Sequence, residues 1–326
     1  MSEANSGIIA RVGDLSSEEK RQRLIQLVVD SVASPHSRRA YRTGLAQFFA
    51  WWQATEGSEP FGRTLVQQYR SHLETRGCAP ATINRQLAPV RKLAEEAAFM
   101  ELLPSGVASD VRRVKGAKQL GVRTGNWLAR EQAQQLLALP DRNTLQGKRD
   151  AALLSLLLGA GLRRDELAQL RMEDLQRREG RWCLVDIEGK GKRVRTVPIP
   201  AWTKDAVDAW LQAMPFPSGL VLGKVNKGGR FVGQGLTAAA IYGVVVRYEK
   251  RLQVKVKPHD LRRTFGKLAH QGGARIEQIQ RSYGHATIQT TERYLGVEQD
   301  LLDAPCDHLR LAPPKSYGPK TQIRSA

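Results

Sequence analysis

Cysteine is scarce in this chain: Cys78, Cys183 and Cys306 are the only three in 326 residues, and no two form a C-x-x-C pair. That spacing argues against a zinc site and a disulfide framework, and it fits a reducing compartment. Long apolar runs are lacking too. The longest, Ala151 to Leu162, is interrupted by Ser155 and Gly159 and is too short to span a bilayer. The opening MSEANSGIIARVGD has no basic start followed by an apolar stretch, so no signal peptide is expected and the protein reads as cytoplasmic. Acidic residues are in deficit, with 32 Asp and Glu against 51 Lys and Arg, a formal charge of +19.

What is present is enough for a folded protein. Hydrophobic residues make up 41% of the chain and mean hydropathy is −0.41, which excludes wholesale disorder. The length suits two compact domains, with one large domain as the alternative. The basic excess points to a polyanion, because neutralising phosphates releases their counterions. The competing reading is a soluble protein that is merely basic. The excess is uneven. Residues 1–115 hold 16 basic against 12 acidic residues and the remainder 35 against 20, so the second part should grip a nucleic-acid backbone harder.

Residues 15–103 read as four helices. Ser16 and Glu19 suit a capping box ahead of Leu24, Leu27 and Val28. Tyr41, Leu45, Phe48, Phe49 and Trp52 share one helical face, then Val66, Tyr69 and Leu73, then Ile83, Leu87, Val90, Leu93 and Ala97. Such stripes are far more often core than base-stacking platforms. Arg38, Arg39, Arg42, Arg85, Arg91 and Lys92 lie on the polar faces, where they meet phosphates or merely water. After Pro104, residues 105–126 are rich in Gly, Lys, Arg and Val without a sustained period and read as a linker. Helical patterns return at 129–139 and 148–158. Two strands, RWCLVDI and RVRTVPI, flank a GKGK turn, and helices are expected at 202–214, 237–252, 261–270, 276–283 and 287–295. The stretch from Pro313 is polar and should fray.

Several polar groups stand where a helix or turn would aim them at one cleft. In GAGLRRDELAQL, Arg163 follows a Gly-Ala-Gly break at a helix start, and Lys190 sits at the tip of the GKGK turn. Taken singly, each is most simply a solvated surface residue. In PHDLRRTFGKLAH, His259 and Arg262 are three apart and share a helical face, with Arg263 off it. In SYGHATIQTTERYLG, His285 falls in a turn after Gly284 and Tyr294 lies nine residues on, on a helix. Their order across some 130 residues is hard to obtain by chance.

That ordered set resembles the tyrosine recombinase, or phage integrase, family. GLRRDEL resembles the first-arginine box, GKGKRVRTVPIP the lysine hairpin, HDLRRTF the His-x-x-Arg box, and GHATIQTTERY the closing box with its nucleophile. The resemblance covers about 190 residues of the second half, and the preceding helices resemble the core-binding domain more loosely. It implies an active site of Arg163, Lys190, His259, Arg262, His285 and Tyr294, with Glu166 supporting the first arginine. Asp165, Arg263, Tyr283 and Gly296 depart from the pattern without removing any of these groups.

The chemistry fits the residue types. Two guanidiniums clamp the non-bridging oxygens as charge builds on phosphorus, each preorganised donor being worth roughly 3–4 kcal/mol. A phenol is mostly neutral at pH 7 and needs a base. The resemblance implies that Tyr294 attacks, that His259 is the base and His285 a phosphate ligand, and that Lys190 protonates the departing 5′-oxygen. No acidic cluster or P-loop accompanies these boxes, so neither metal nor nucleotide cofactor is expected.

By this reading the fold is mainly α with a small antiparallel β-sheet. Residues 15–105 form a helical core-binding clamp, 106–126 a linker, 127–311 the tyrosine recombinase catalytic domain and 312–326 a flexible tail. The expected function is site-specific DNA cleavage and rejoining through a 3′-phosphotyrosine, in mobile-element integration, excision or resolution. The expected partner is double-stranded DNA, bound by a homotetramer across two recombination sites and associated with the nucleoid, away from any membrane. Two alternatives stay open: a type IB topoisomerase, and a catalytically silent DNA-binding accessory protein.

Overall fold

The computed structural model describes residues 18–55, 59–118, 126–189, 192–215 and 219–296. Ser16, Lys190 and Cys306, with all residues after Gly296, lie outside them. The chain divides into two compact units, residues 1–121 and 122–326.

The first unit is helical: α1 Glu18–Asp30, α2 Pro35–Ala54, α3 Arg63–Thr75, α4 Pro80–Phe99 and α5 Ser105–Arg113. Local chemistry sets the helix starts. Pro35 and Pro80 open α2 and α4, where a missing N–H costs nothing, and Ser34 Oγ accepts from Ser37 N ahead of α2. The expected stripes are core except at Leu27, which is exposed, with Tyr41 and Trp52 partly buried at the edge. Phe48 is fully buried and its ring lies 5.0 Å from that of Tyr69 and 5.6 Å from that of Phe49.

Helix α5 replaces the first part of the expected linker. Val107, Ala108, Val111 and Val114 fall at helical spacing along one side, a pattern only two turns long, and the last three are buried. Arg91 donates to Val114 O (2.6 Å), fixing the end of the helix. Lys92 is taken up by Glu96 (3.0 Å), whereas Arg38, Arg39, Arg42 and Arg85 are exposed.

The second unit contains α6 Arg130–Ala138, α7 Leu145–Gly159, α8 Arg164–Gln169, α9 Ala201–Ala213, α10 Ala238–Leu252, α11 Pro258–Gln271, α12 Ile276–Tyr283 and α13 Ile288–Leu295. The run Ala151–Leu162 is explained by α7, which is buried on every side and so needs no polar face. Even its charges are internal: Asp150 is fully buried, bonded by Arg149 Nη2 (2.6 Å) and the Tyr248 hydroxyl (3.0 Å). No described helix is long and apolar enough to cross a membrane.

The sheet is antiparallel in the order β1-β2-β3, with β1 Leu175–Arg178, β2 Arg181–Glu188 and β3 Val194–Pro198. Strand β1 was not legible in the sequence, its four residues being largely polar, nor was the separate short hairpin of β4 Gly223–Val225 and β5 Phe231–Gly235. A register shift separates the pair Leu184/Val197 from Ile187/Arg195, with Asp186 in the left-handed region (φ 55°) between them. On β3 this leaves Val194 60% exposed while Arg195 turns inward on the same side as Val197.

Candidate active site

The site is built around one carboxylate. Gly161 adopts φ +59°, and a Cβ there would lie 2.6 Å from the Phe265 ring, so this break after α7 requires glycine. Arg163 follows as the residue capping α8. Glu166, three residues on, reaches back to its backbone N–H (2.8 Å) and also accepts from its Nη1 (2.7 Å). Glu166 is buried and meets two more guanidiniums: Arg195 through Nη1 (3.1 Å) and Nη2 (2.7 Å), and Arg262 with Nη1 at 3.8 Å. Burial opposes its charge, but the bonds and charge of Arg195, then those of Arg163, outweigh it and hold the carboxyl below its ordinary range.

Arg195 was not identified from sequence. Its Nε donates to Ser282 O (2.7 Å), so β3 is tied both to α8 and to the turn leading into His285. Gly284, in the left-handed region (φ +65°), keeps that turn open: a Cβ there would stand 2.9 Å from Arg195 Cδ. The available clue was strand alternation, since Val197 on the inner face puts Arg195 there too.

Arg262 is 1% exposed and pinned by two backbone carbonyls, Gly161 O (2.7 Å) and Tyr283 O (2.6 Å). These take two of its five N–H donors, so the fork is oriented while donors remain for a phosphate. Burial, then the charge of Arg163, pushes it down to about 10, leaving it charged at neutral pH. Tyr283 explains its own departure from the family pattern. Its ring lies 4.4 Å from the Arg262 guanidinium and its hydroxyl donates to Arg262 O (2.6 Å).

Tyr294, on α13, has its hydroxyl 3.4 Å from His259 Nε2, and the two rings stand edge to face. Burial raises the phenol above its ordinary value, against the pull of Arg262, Arg263 and Arg163. Burial and then Arg263 and Arg262 lower His259, keeping it the neutral form that accepts a proton. His285 lies on another side of Tyr294, ring centres 5.5 Å apart, with Nδ1 3.0 Å from Thr291 Oγ1. Burial, then Arg262 and Arg163, pushes it down to about 4. Arg263, expected to point away, also reaches the site: its guanidinium is 5.3 Å from the Tyr294 ring and bonds Asp260 (3.3 Å).

Arg163, Glu166, His259, Arg262, His285 and Tyr294 are thus gathered in one place. Lys190 lies outside the described residues; on either side of it Gly189 N donates to Arg193 O (2.7 Å), closing the base of the hairpin. Beside that base, Arg193, Arg195, Gln280, Arg281 and His285 line an open basic groove of about 540 Å³. Among the described residues no three His, Cys, Asp or Glu are grouped to hold a metal ion.

Residues 126–300 match the Phage integrase family, and residues 22–98 match the Phage integrase, N-terminal SAM-like domain. A tyrosine recombinase of Synechococcus elongatus is 30% identical over 88% of this chain and 92% of its own length. The tyrosine recombinase XerC of Myxococcus xanthus is 32% identical over 83% of this chain and 90% of its own. Among solved structures, the XerH site-specific recombinase bound to its difH substrate superposes with a TM-score of 0.62 at 20% identity, covering 81% of this chain and 76% of the other. The Tn1549 transposon integrase in complex with circular intermediate DNA gives 0.62 at 18% identity, covering 85% and 96%. Both share the fold. The chain belongs to the phage integrase family. It is a tyrosine recombinase, an enzyme that acts on DNA by site-specific strand cleavage and rejoining.

Proposed function

We propose that Tyr294 is the nucleophile. Its oxygen bonds to phosphorus as the bond to the 5′-oxygen breaks, leaving a 3′-phosphotyrosine on the enzyme and a 5′-hydroxyl on the DNA. The Tyr294 proton passes to His259, and Lys190 gives one to the departing oxygen. Arg163 and Arg262 hold the non-bridging oxygens with His285 as a further donor, and Glu166 fixes the first two without touching substrate. Reversal by an incoming 5′-hydroxyl reseals the strand, so the bond energy is kept and ATP is not needed. The observation that carries this reading is the Tyr294 hydroxyl lying within reach of His259 Nε2, beside a carboxylate-backed arginine cluster. At 3.4 Å the contact is long, as catalytic bonds commonly are before substrate binds.

In this reading the first unit, with α5 packed in its core, forms the DNA clamp, the residues from the end of that unit to 126 the linker and 127–311 the catalytic domain, with four protomers assembling across two sites in the cytoplasm, on the nucleoid. The test is a nicked duplex that traps the covalent intermediate, resolved on a denaturing gel. Wild-type protein forms the adduct; Tyr294→Phe binds the same DNA and forms none. An undiminished adduct from the Phe variant overturns the assignment, and binding without any wild-type adduct indicates a silent DNA-binding protein.

A further inference from the structure

We propose that Thr291 is a positioning residue that sets the tautomer of His285, placing the ring proton on Nε2. Thr291 is fully buried on α13, one turn before Tyr294, and its Oγ1 lies 3.0 Å from His285 Nδ1. A neutral imidazole has one donor and one acceptor nitrogen, so the partner of Nδ1 decides what Nε2 can do.

The direction of the bond follows from the hydroxyl. Among the described residues, Thr291 Oγ1 makes no other hydrogen bond. If Thr291 accepted from Nδ1–H, its own hydrogen would be buried without a partner, which is costly. Donation to Nδ1 satisfies it, and Nε2 then carries the proton. The ring has little freedom to escape this arrangement. His285 N donates to Gln280 O (3.2 Å), His285 O accepts from Gln280 Nε2 (3.3 Å), and the ring packs 4.9 Å from that of Tyr283. Burial, and then the surrounding guanidiniums, keep it uncharged at neutral pH. His285 therefore offers a phosphate oxygen a neutral N–H without having to be protonated first. This last step rests on the role given to His285 above.

The test separates the two claims. Histidine ¹⁵N chemical shifts of the free, full-length protein report the tautomer directly. Wild type should show the Nε2–H form of His285, Thr291→Val a mixture of tautomers, and Thr291→Ser the wild-type form again. Adduct formation should fall roughly 10- to 100-fold in the Val variant, by analogy with loss of the group that orients a metal-ligating imidazole, and recover in the Ser variant. Wild-type His285 protonated on Nδ1, or an unchanged tautomer in Thr291→Val, overturns the proposal. A tautomer that shifts while adduct formation is unchanged supports the role of Thr291 and instead overturns the assignment of His285 to the phosphate.

Discussion

Arg195 and Glu166 meet as a parallel fork, Nη1 to Oε1 at 3.1 Å and Nη2 to Oε2 at 2.7 Å, both side chains almost wholly buried. The pair joins the strand after the Lys190 hairpin to the helix capped by Arg163, and Ser282 O brings in the turn of His285. Lysine cannot reproduce three directed bonds from one planar group. Arg195→Lys and Arg195→Met should both destabilise the protein, the latter by about 2 kcal/mol. That is below the 3–5 kcal/mol for orphaning a buried charge because Arg163 still bonds Glu166. Urea unfolding measures this, and wild-type stability in the Met variant would remove Arg195 from the network.

Acid should loosen the fold through the site. His285 is pushed down to about 4 in the folded protein from an ordinary 6.5, and His259 is also lowered. Between those values of pH the unfolded chain binds more protons, so stability rises with pH across the window and is lost as pH falls through it. Above it the ring is neutral in both states and contributes nothing. The groups facing His285 are Arg262, Arg163, Arg195 and His259, with Tyr283 and Tyr294 against the ring. His285→Gln should flatten the decline in unfolding midpoint between pH 7 and 5; an unchanged slope places the acid sensitivity elsewhere.

Lys190→Ala should slow cleavage by roughly 10²–10⁴, the usual range for a general acid. On a substrate with sulfur at the 5′-bridging position the leaving thiolate needs no proton, and the variant should recover most of its rate. An equal defect on both substrates assigns Lys190 another role.

Cleavage should persist in excess EDTA and without ATP, since the proposed site offers the phosphate guanidiniums rather than carboxylates. Adduct that disappears with EDTA and returns with Mg²⁺ contradicts this.

Much of this was readable in advance for a physical reason. Helical stripes such as Leu45–Phe48–Phe49–Trp52 and the residues of the four boxes are local patterns with fixed spacing. Arg195 was hidden because its partners, Glu166 and Ser282, are 29 and 87 residues away, and nothing local separates an inward arginine from a solvated one except the alternation with Val197. Helix α5 was missed although Val107, Ala108, Val111 and Val114 fall at helical spacing, because the pattern spans only two turns and is followed by a stretch rich in Gly, Lys and Arg. The position of Thr291 behind His285 depended on a turn closed at Gly284, which spacing alone does not draw.

Among the described residues, the helix bearing Tyr294 packs in a cluster separate from the main core of its unit. The main core holds α7 on every side, whereas α12 and α13 share a separate small cluster whose buried members are Ile279, Tyr283 and Leu295. Limited burial among the described residues makes for a shallow free-energy well, and local opening there need not disturb the large core. Backbone amides of α13 should therefore exchange with deuterium long before those of α7, which would put the proposed nucleophile on a segment that can open while the large core stays folded.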